Sequence, residues 1–244
     1  MRGLAHLGVL SVLLEAGIPI DYIAGTSAGS LVGASFCAGM SLDEIRSFAL
    51  NLRWWHIARP VFPAQGFVSF EPMERLLERQ LGLRTFEELQ IPFAAVATDL
   101  NTGETIAFRE GRLAPAVRAS CTVPGLVAPV EIDGRLLGDG SLSNTVPVSI
   151  LREMGADFVI GVDIFASSIR RRWGPFGMGA AALEILIQRS GGGIDDADFL
   201  IAPDLAGATY FRFSKRMQLM ELGERAAIKN LEGLRQTLGL RLPG

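Results

Sequence analysis

Leu4, Leu7, Leu10, Leu13 and Leu14 recur at the spacing of one helical face, and Gly17 stands where such a helix would stop. The pattern predicts an amphipathic helix laid on a core. A short apolar strand follows over residues 20–24, then a helix over 28–38 stopped by Gly39. Ser41 and Glu44 have capping-box spacing, opening a helix that runs to about Arg53. Pro60 and Pro63 break the pattern before a helix over 72–80, and Thr85 with Glu88 repeats the capping-box spacing. Residues 92–98 read as a nearly continuous apolar strand and 105–109 as its hairpin partner, with Asn101, Thr102 and Gly103 at the turn.

The second half alternates in the same way. A helix over 114–120 leads through Pro124 and Pro129 to strands on either side of Asp133-Gly134, a two-residue hairpin signal, and then to a helix over 148–154. Residues 158–164 have the unbroken hydrophobicity of a central parallel strand. Residues 170–177 and 190–193 read as loops, 199–202 as a short strand and 217–238 as a closing helix. No repeat or linker divides the chain. The expectation is one α/β domain over residues 1–244, with helices on both faces of a mostly parallel sheet.

Composition narrows the class. The 244 residues are 49% hydrophobic and 20% charged with a net charge of −3, enough for a large core and without the basic field that nucleic acid requires. Cys37 and Cys121 are too few for a disulfide framework and lack metal-ligand spacing, which fits a reducing, cytoplasmic setting. His6 and Glu15 interrupt an N-terminal stretch that superficially resembles a secretory signal. Residues 22–42 carry no charge, but Thr26, Ser27, Ser30, Ser35 and Ser41 make them too polar for a membrane span.

The chemistry centres on Gly25-Thr26-Ser27-Ala28-Gly29, a G-x-S-x-G motif placed where a strand gives way to a helix. So tight a turn pushes the serine out of the backbone, and a β-carbon at either flanking glycine is expected to collide with neighbouring chain. The hydroxyl lies at a helix N-terminus, which favours developing negative charge. The same residues also suit a glycine-rich loop packed closely on a helix. A serine needs a base, and the histidines do not supply the usual one. His6 precedes Ser27, His56 lies in an aromatic-rich loop, and no histidine follows Asp139. Lys215 and Lys229, the two lysines, both fall in the C-terminal region. A carboxylate remains. Asp139, between Gly138 and Gly140 at the end of an apolar strand, stands out, with Asp99 and Asp163 as competitors in similar positions. A carboxylate is a weak base for serine in water, so the site should be an enclosed cleft dry enough to raise its basicity.

The ordered set of motifs resembles the patatin-like phospholipases, in particular compact bacterial members. The set comprises residues 2–10 (Arg2-Gly3 through Leu10), the G-x-S-x-G turn, Ala97-Thr98-Asp99-Leu100 with Thr102-Gly103, and Ala119-Ser120-Cys121 with Pro124-Gly125. It continues with Gly138-Asp139-Gly140, Asn144, Pro147-Val148 and Gly155-Ala156-Asp157. The resemblance implies a three-layer α/β/α sandwich, lipid acyl hydrolysis, and a Ser-Asp dyad that carries over to Ser27 as nucleophile and Asp139 as base, with no cofactor or metal. It also implies an oxyanion hole of backbone N–H groups, matched at Arg2 and Gly3 and joined by Ala28. On this comparison the family's first strand and the earlier glycines of that loop would precede Met1, so that strand is expected to be missing. Ser141 stands where the family usually has glycine or alanine, a small change.

Lipid esters or other carboxylic esters are the expected substrates. Trp54, Trp55, Phe62, Phe67 and Phe70, interleaved with Arg53 and Arg59, suit either a lipid-facing lid or a satellite core. Arg170-Arg171-Arg172-Trp173 suits anionic headgroups or a solvated loop. Peripheral membrane contact is expected on the first reading. Two rivals stand beside the dyad enzyme: a catalytically impaired protein of this fold that binds lipid or a partner, and a Ser-His esterase built on His6.

Overall fold

In a computed structural model, the described residues are 3–62, 65–165, 174–190, 194–205 and 216–239. Helix α1 (Leu4–Glu15) leads to strand β1 (Ile23–Thr26) and then to α2 (Ala28–Cys37) and α3 (Leu42–Asn51). Ser41 and Glu44 close the expected capping box at the start of α3. A short helix α4 (Trp54–Ile57), strands β2 (Arg59–Pro60) and β3 (Val68–Ser69), and α5 (Glu71–Leu81) follow. The Thr85–Glu88 spacing caps a single 3-10 turn rather than an α-helix. Strands β4 (Phe93–Asp99) and β5 (Thr105–Phe108), helix α6 (Leu113–Ser120), and strands β6 (Val130–Ile132) and β7 (Arg135–Asp139) come next. The remaining elements are α7 (Val148–Glu153), β8 (Ile160–Val162), α8 (Gly174–Arg189), β9 (Phe199–Ile201) and α9 (Arg216–Thr237).

The organising strand is β4, buried along all seven residues. Its side chains alternate between two helical layers, as strand geometry requires. Phe93 and Ala95 join a core with Ala34 of α2 and Val117 of α6, and Ala97 meets Ala119, whereas Ala94 and Val96 pack with Ile150 of α7. Helices therefore cover both faces, giving a three-layer α/β/α sandwich around a mixed sheet.

Register decides what the sheet can do. On β4, β5 pairs antiparallel with residues 95–98; β1 pairs parallel with 93–96 and β7 antiparallel with 97–99. Because β5 overlaps both, β1 and β7 must share the opposite edge. Thr26 ends β1 opposite Val96, and Asp139 ends β7 opposite Ala97. The C-terminal ends of β1 and β7 thus meet head to head.

Several expectations change. Strand β1 spans 23–26 rather than 20–24, which carries it directly into the turn at Ser27. The parallel pairings between strands are β1–β4 and β8–β9; β4–β5 and β6–β7 are antiparallel because hairpins return the chain at once, and β7 also lies antiparallel to β4. Residues 158–164 do not form a central strand in the described sheet, since β8 pairs with β9 in a separate two-stranded sheet. Residues 174–177, expected as loop, start α8. Arg170, Arg171, Arg172 and Trp173 lie outside the described residues. Helix α1 is not amphipathic: only Glu15 is exposed, because α9 covers one side while α2 and a cavity take the others. Among the described residues no helix is long and apolar enough to cross a membrane.

The α1–α9 crossing is unusually close. A β-carbon at Gly8 would sit 2.1 Å from the Met220 carbonyl oxygen, and one at Gly223 would sit 2.1 Å from that of Ala5. Backbone cannot yield there without separating the helices. Gly8→Ala and Gly223→Ala are each expected to destabilise the fold by about 3 kcal/mol, read as a lowered urea midpoint at unchanged slope.

Candidate active site

Ser27 occupies the sharp turn between β1 and α2 with φ 53° and ψ −120°, a conformation that L residues rarely hold. Gly25 makes the turn feasible, since a β-carbon there would lie 2.6 Å from the backbone of Gly29 and Ser30. Gly29 behaves differently from the expectation: its β-carbon would touch only the His6 ring at 3.6 Å. The steric demand for glycine therefore falls on Gly25, where the helix folds back over the strand. Gly140 is equally constrained, its β-carbon position being 2.2 Å from the Val96 carbonyl oxygen.

The head-to-head strands bring Ser27 to Asp139 across 112 residues of sequence. Ser27 Oγ donates to Asp139 Oδ2 at 2.6 Å. The other carboxylate oxygen, Oδ1, accepts from the Ser141 N–H at 3.0 Å and the Ser141 hydroxyl at 2.7 Å. Asp139 is 2% exposed. Burial raises its pKa above the ordinary carboxyl value, while the hydrogen bonds from Ser27 and Ser141 act in the opposite direction. The dry, basicity-raising environment expected for the base is present around Asp139.

The competing groups are occupied or remote from this chemistry. Asp99 Oδ1 accepts from the Asn101 N–H at 2.9 Å and Oδ2 pairs with Arg135 at 3.2 Å, so it fastens a turn. Asp163 Oδ1 accepts from the Phe165 N–H at 2.7 Å beyond β8. Burial lowers His6 to about 4, and among the described residues it makes no hydrogen bond to Ser27. Lys215 lies outside the described residues, and Lys229 is on α9, the helix packed against α1.

Three small polar residues with no assigned role brace the turn. Ser120 Oγ accepts the Ser27 N–H at 2.9 Å and donates to the Val96 carbonyl. The Ser27 carbonyl accepts from the Ser30 hydroxyl at 2.7 Å and the Cys121 thiol at 3.2 Å. The Ser27 amide is thus committed to Ser120, and Ala28 supplies the next N–H of α2, with no hydrogen-bond partner among the described residues. Gly3, at the N-terminus of α1, packs on Ala28 so closely that a β-carbon would come within 2.2 Å of that of Ala28. Two helix N-termini therefore converge beside Ser27. Arg2 lies outside the described residues. In the sequence Ser120 and Cys121 stand in the Ala119-Ser120-Cys121 motif and Ser30 is a small polar residue in an apolar run, but neither signal points to a bracing role.

A cavity of about 700 Å³ lies behind the turn, lined by Gly25, Thr26, Gly29 and His6 and bounded by residues of β1 and β8. Ser27 and Asp139 are not in its lining, so it is not the enclosed cleft expected around the nucleophile. The aromatic segment divides. Phe70 is buried with Ala58, Met73, Cys121 and Val127, and Trp54 packs edge-on against it at 6.0 Å. Trp55, Phe62 and Phe67 are 67%, 88% and 58% exposed. Both cysteines are free and buried, and burial raises each thiol to about 12. Among the described residues no three His, Cys, Asp or Glu side chains gather as a metal site.

The raised pKa of Asp139 has a consequence for stability. The folded state holds the Asp139 proton more tightly than the unfolded chain, so this group's contribution is fully present below pH 3.8 and is lost as pH rises toward the folded value. Asp139→Asn removes that loss. Its stability relative to the parent is expected to grow from pH 4 to pH 8 in paired chemical denaturation; a constant difference would count against it.

The family model for patatin-like phospholipase matches residues 1–152. An uncharacterized NTE family protein of Mycobacterium bovis is 40% identical over 169 residues, 68% of this chain and 47% of that protein. A second such protein, of Mycobacterium tuberculosis, is 34% identical over 165 residues, 67% of this chain and 28% of that protein. Patatin-like phospholipase domain-containing protein 6 of Homo sapiens is 34% identical over 173 residues, 67% of this chain and 12% of that protein. The chain thus spans about half or less of the length of these relatives. With the motifs in order on the matching fold, the chain belongs to the patatin-like phospholipase family.

Proposed function

We propose that this chain is a serine lipid acyl hydrolase of phospholipase A, lysophospholipase or carboxylesterase type, working through a Ser27-Asp139 dyad. The observation that carries the reading is the 2.6 Å hydrogen bond from Ser27 Oγ to a buried carboxylate oxygen. Asp139 takes the hydroxyl proton as Ser27 attacks the ester carbonyl. The backbone N–H groups of Ala28 and Gly3 stabilise the oxygen that becomes negative, each with a share of a few kcal/mol of barrier. Asp139 then returns the proton to the leaving alcohol, and an acyl-enzyme on Ser27 remains. Asp139 then deprotonates a water molecule as it attacks the acyl carbonyl; the bond from that carbonyl to Ser27 Oγ breaks, the proton passes from Asp139 to Oγ, and the carboxylic acid leaves. These steps draw on no metal or cofactor.

Exposed Trp55, Phe62 and Phe67, with Arg53 stacked 5.4 Å over the Trp55 ring, support a lipid-facing surface that holds the protein peripherally at a cytoplasmic membrane face. We read residues 1–244 as one patatin-like domain. The packing of α9 on α1 supports this by tying the C-terminal segment to the matched region.

A fluorophosphonate probe is expected to add one label to the folded chain by intact mass, and Ser27→Ala to abolish it. Asp139→Asn should lower ester turnover by about a thousandfold, while His6→Ala stays within a few-fold of the parent. A folded chain that takes no label would overturn the hydrolase reading in favour of a lipid- or partner-binding role. Loss of turnover in His6→Ala would favour the Ser-His esterase.

A further inference from the structure

Ser141 departs from the glycine or alanine that the family resemblance leads one to expect, and the departure places a second hydroxyl on the dyad carboxylate. Ser141 is buried, and its N–H and Oγ–H both point to Asp139 Oδ1, at 3.0 and 2.7 Å. Its own backbone is held in turn: the Ser141 carbonyl accepts from the Thr145 hydroxyl at 3.1 Å and from the Ser190 hydroxyl at the end of α8. The residue before it lies close against β4, since a β-carbon on Gly140 would sit 2.2 Å from the Val96 carbonyl oxygen. The donor is therefore fixed on a rigid frame.

The terminal torsion of an aspartate is broad, so burial by itself does not fix the angle at which the carboxylate plane faces Ser27. Two donors on one oxygen do fix it, turning the other toward the Ser27 hydroxyl. The Ser141 hydroxyl favours the ionised carboxylate against the burial that disfavours it. An alanine at 141 would keep the amide donor and lose the hydroxyl.

We propose that Ser141 is a positioning residue, whose hydroxyl fixes the rotation of the Asp139 carboxylate and keeps it ionised while Oδ2 receives the Ser27 proton. This rests on the Ser27-Asp139 reading above and deepens it: base strength at this site is set jointly by burial and by residue 141.

The test is the pH profile of p-nitrophenyl butyrate hydrolysis by the full chain, its Ser27→Ala control, and Ser141→Ala, Ser141→Gly and Ser141→Thr. Asp139 must be ionised to act, so turnover rises with pH through its pKa. Removal of a donor to the ionised form moves that ascending limb upward. In Ser141→Ala and Ser141→Gly, the limb of kcat/KM is expected to move up by roughly half to one pH unit. Their kcat should fall about tenfold with KM within twofold, as expected for an interaction that matters mainly in the transition state. A folded Ser141→Thr, which keeps the hydroxyl, should return the limb to its parental position. An unmoved limb in the alanine and glycine variants, or a folded threonine variant that shifts as they do, would overturn the proposal and leave the dyad standing. Parental turnover that survives in Ser27→Ala, or no turnover at all, would overturn the dyad reading and this proposal together.

Discussion

Strands β1 and β7 end against each other on one edge of β4, and the Ser27–Asp139 hydrogen bond depends on that meeting. A parallel strand and an antiparallel strand laid end to end on one neighbour point their C-termini at a common spot, whatever their separation in sequence. The arrangement tolerates no slip, because moving either strand by one residue would turn its side chains to the opposite face. Burial of both faces of β4 pins the register. The run of alanine and valine in β4 allows the helical layers to approach from both sides.

The serine turn is the second constraint and depends on the first. Ser27 holds a positive φ that costs about 1–3 kcal/mol, and such a conformation persists only where its surroundings over-determine it. Ser120, Ser30 and Cys121 do so with hydrogen bonds to the Ser27 amide and carbonyl. Ser120 also bonds the Val96 carbonyl, at the β4 residue opposite the end of β1. The strained turn is therefore attached to the same point of the sheet that brings Asp139 near. With the Ser27 amide committed to Ser120, the next N–H of α2 is that of Ala28, against which Gly3 packs.

Electrostatics then separates one carboxylate from the others. Asp99 and Asp163 also end apolar strands, yet Asp99 is paired with Arg135 and both accept hydrogen bonds from nearby turn amides. Among the described residues Asp139 pairs with no cation and accepts from hydroxyl and amide donors in a dry setting, where burial raises its basicity. Burial also keeps His6 neutral, so the site gains no imidazolium to compete with the carboxylate.

The sequence by itself determined the local events. Gly25-Thr26-Ser27-Ala28-Gly29 fits a strand-to-helix elbow because its small residues permit that backbone, and the capping box at Ser41 and Glu44 forms from four consecutive residues. The Asp133-Gly134 turn and the alternation of strands and helices were legible for the same reason: neighbours along the chain cause them. Only the tertiary structure decided that β8 pairs away from the main sheet, that α1 is enclosed nearly all round, and that Gly25 rather than Gly29 bears the steric demand. It alone showed Ser120 and Ser141 to be partners of Ser27 and Asp139. Those facts depend on register and on contacts between residues tens of positions apart, and hydrophobic periodicity records which face is buried without recording what covers it.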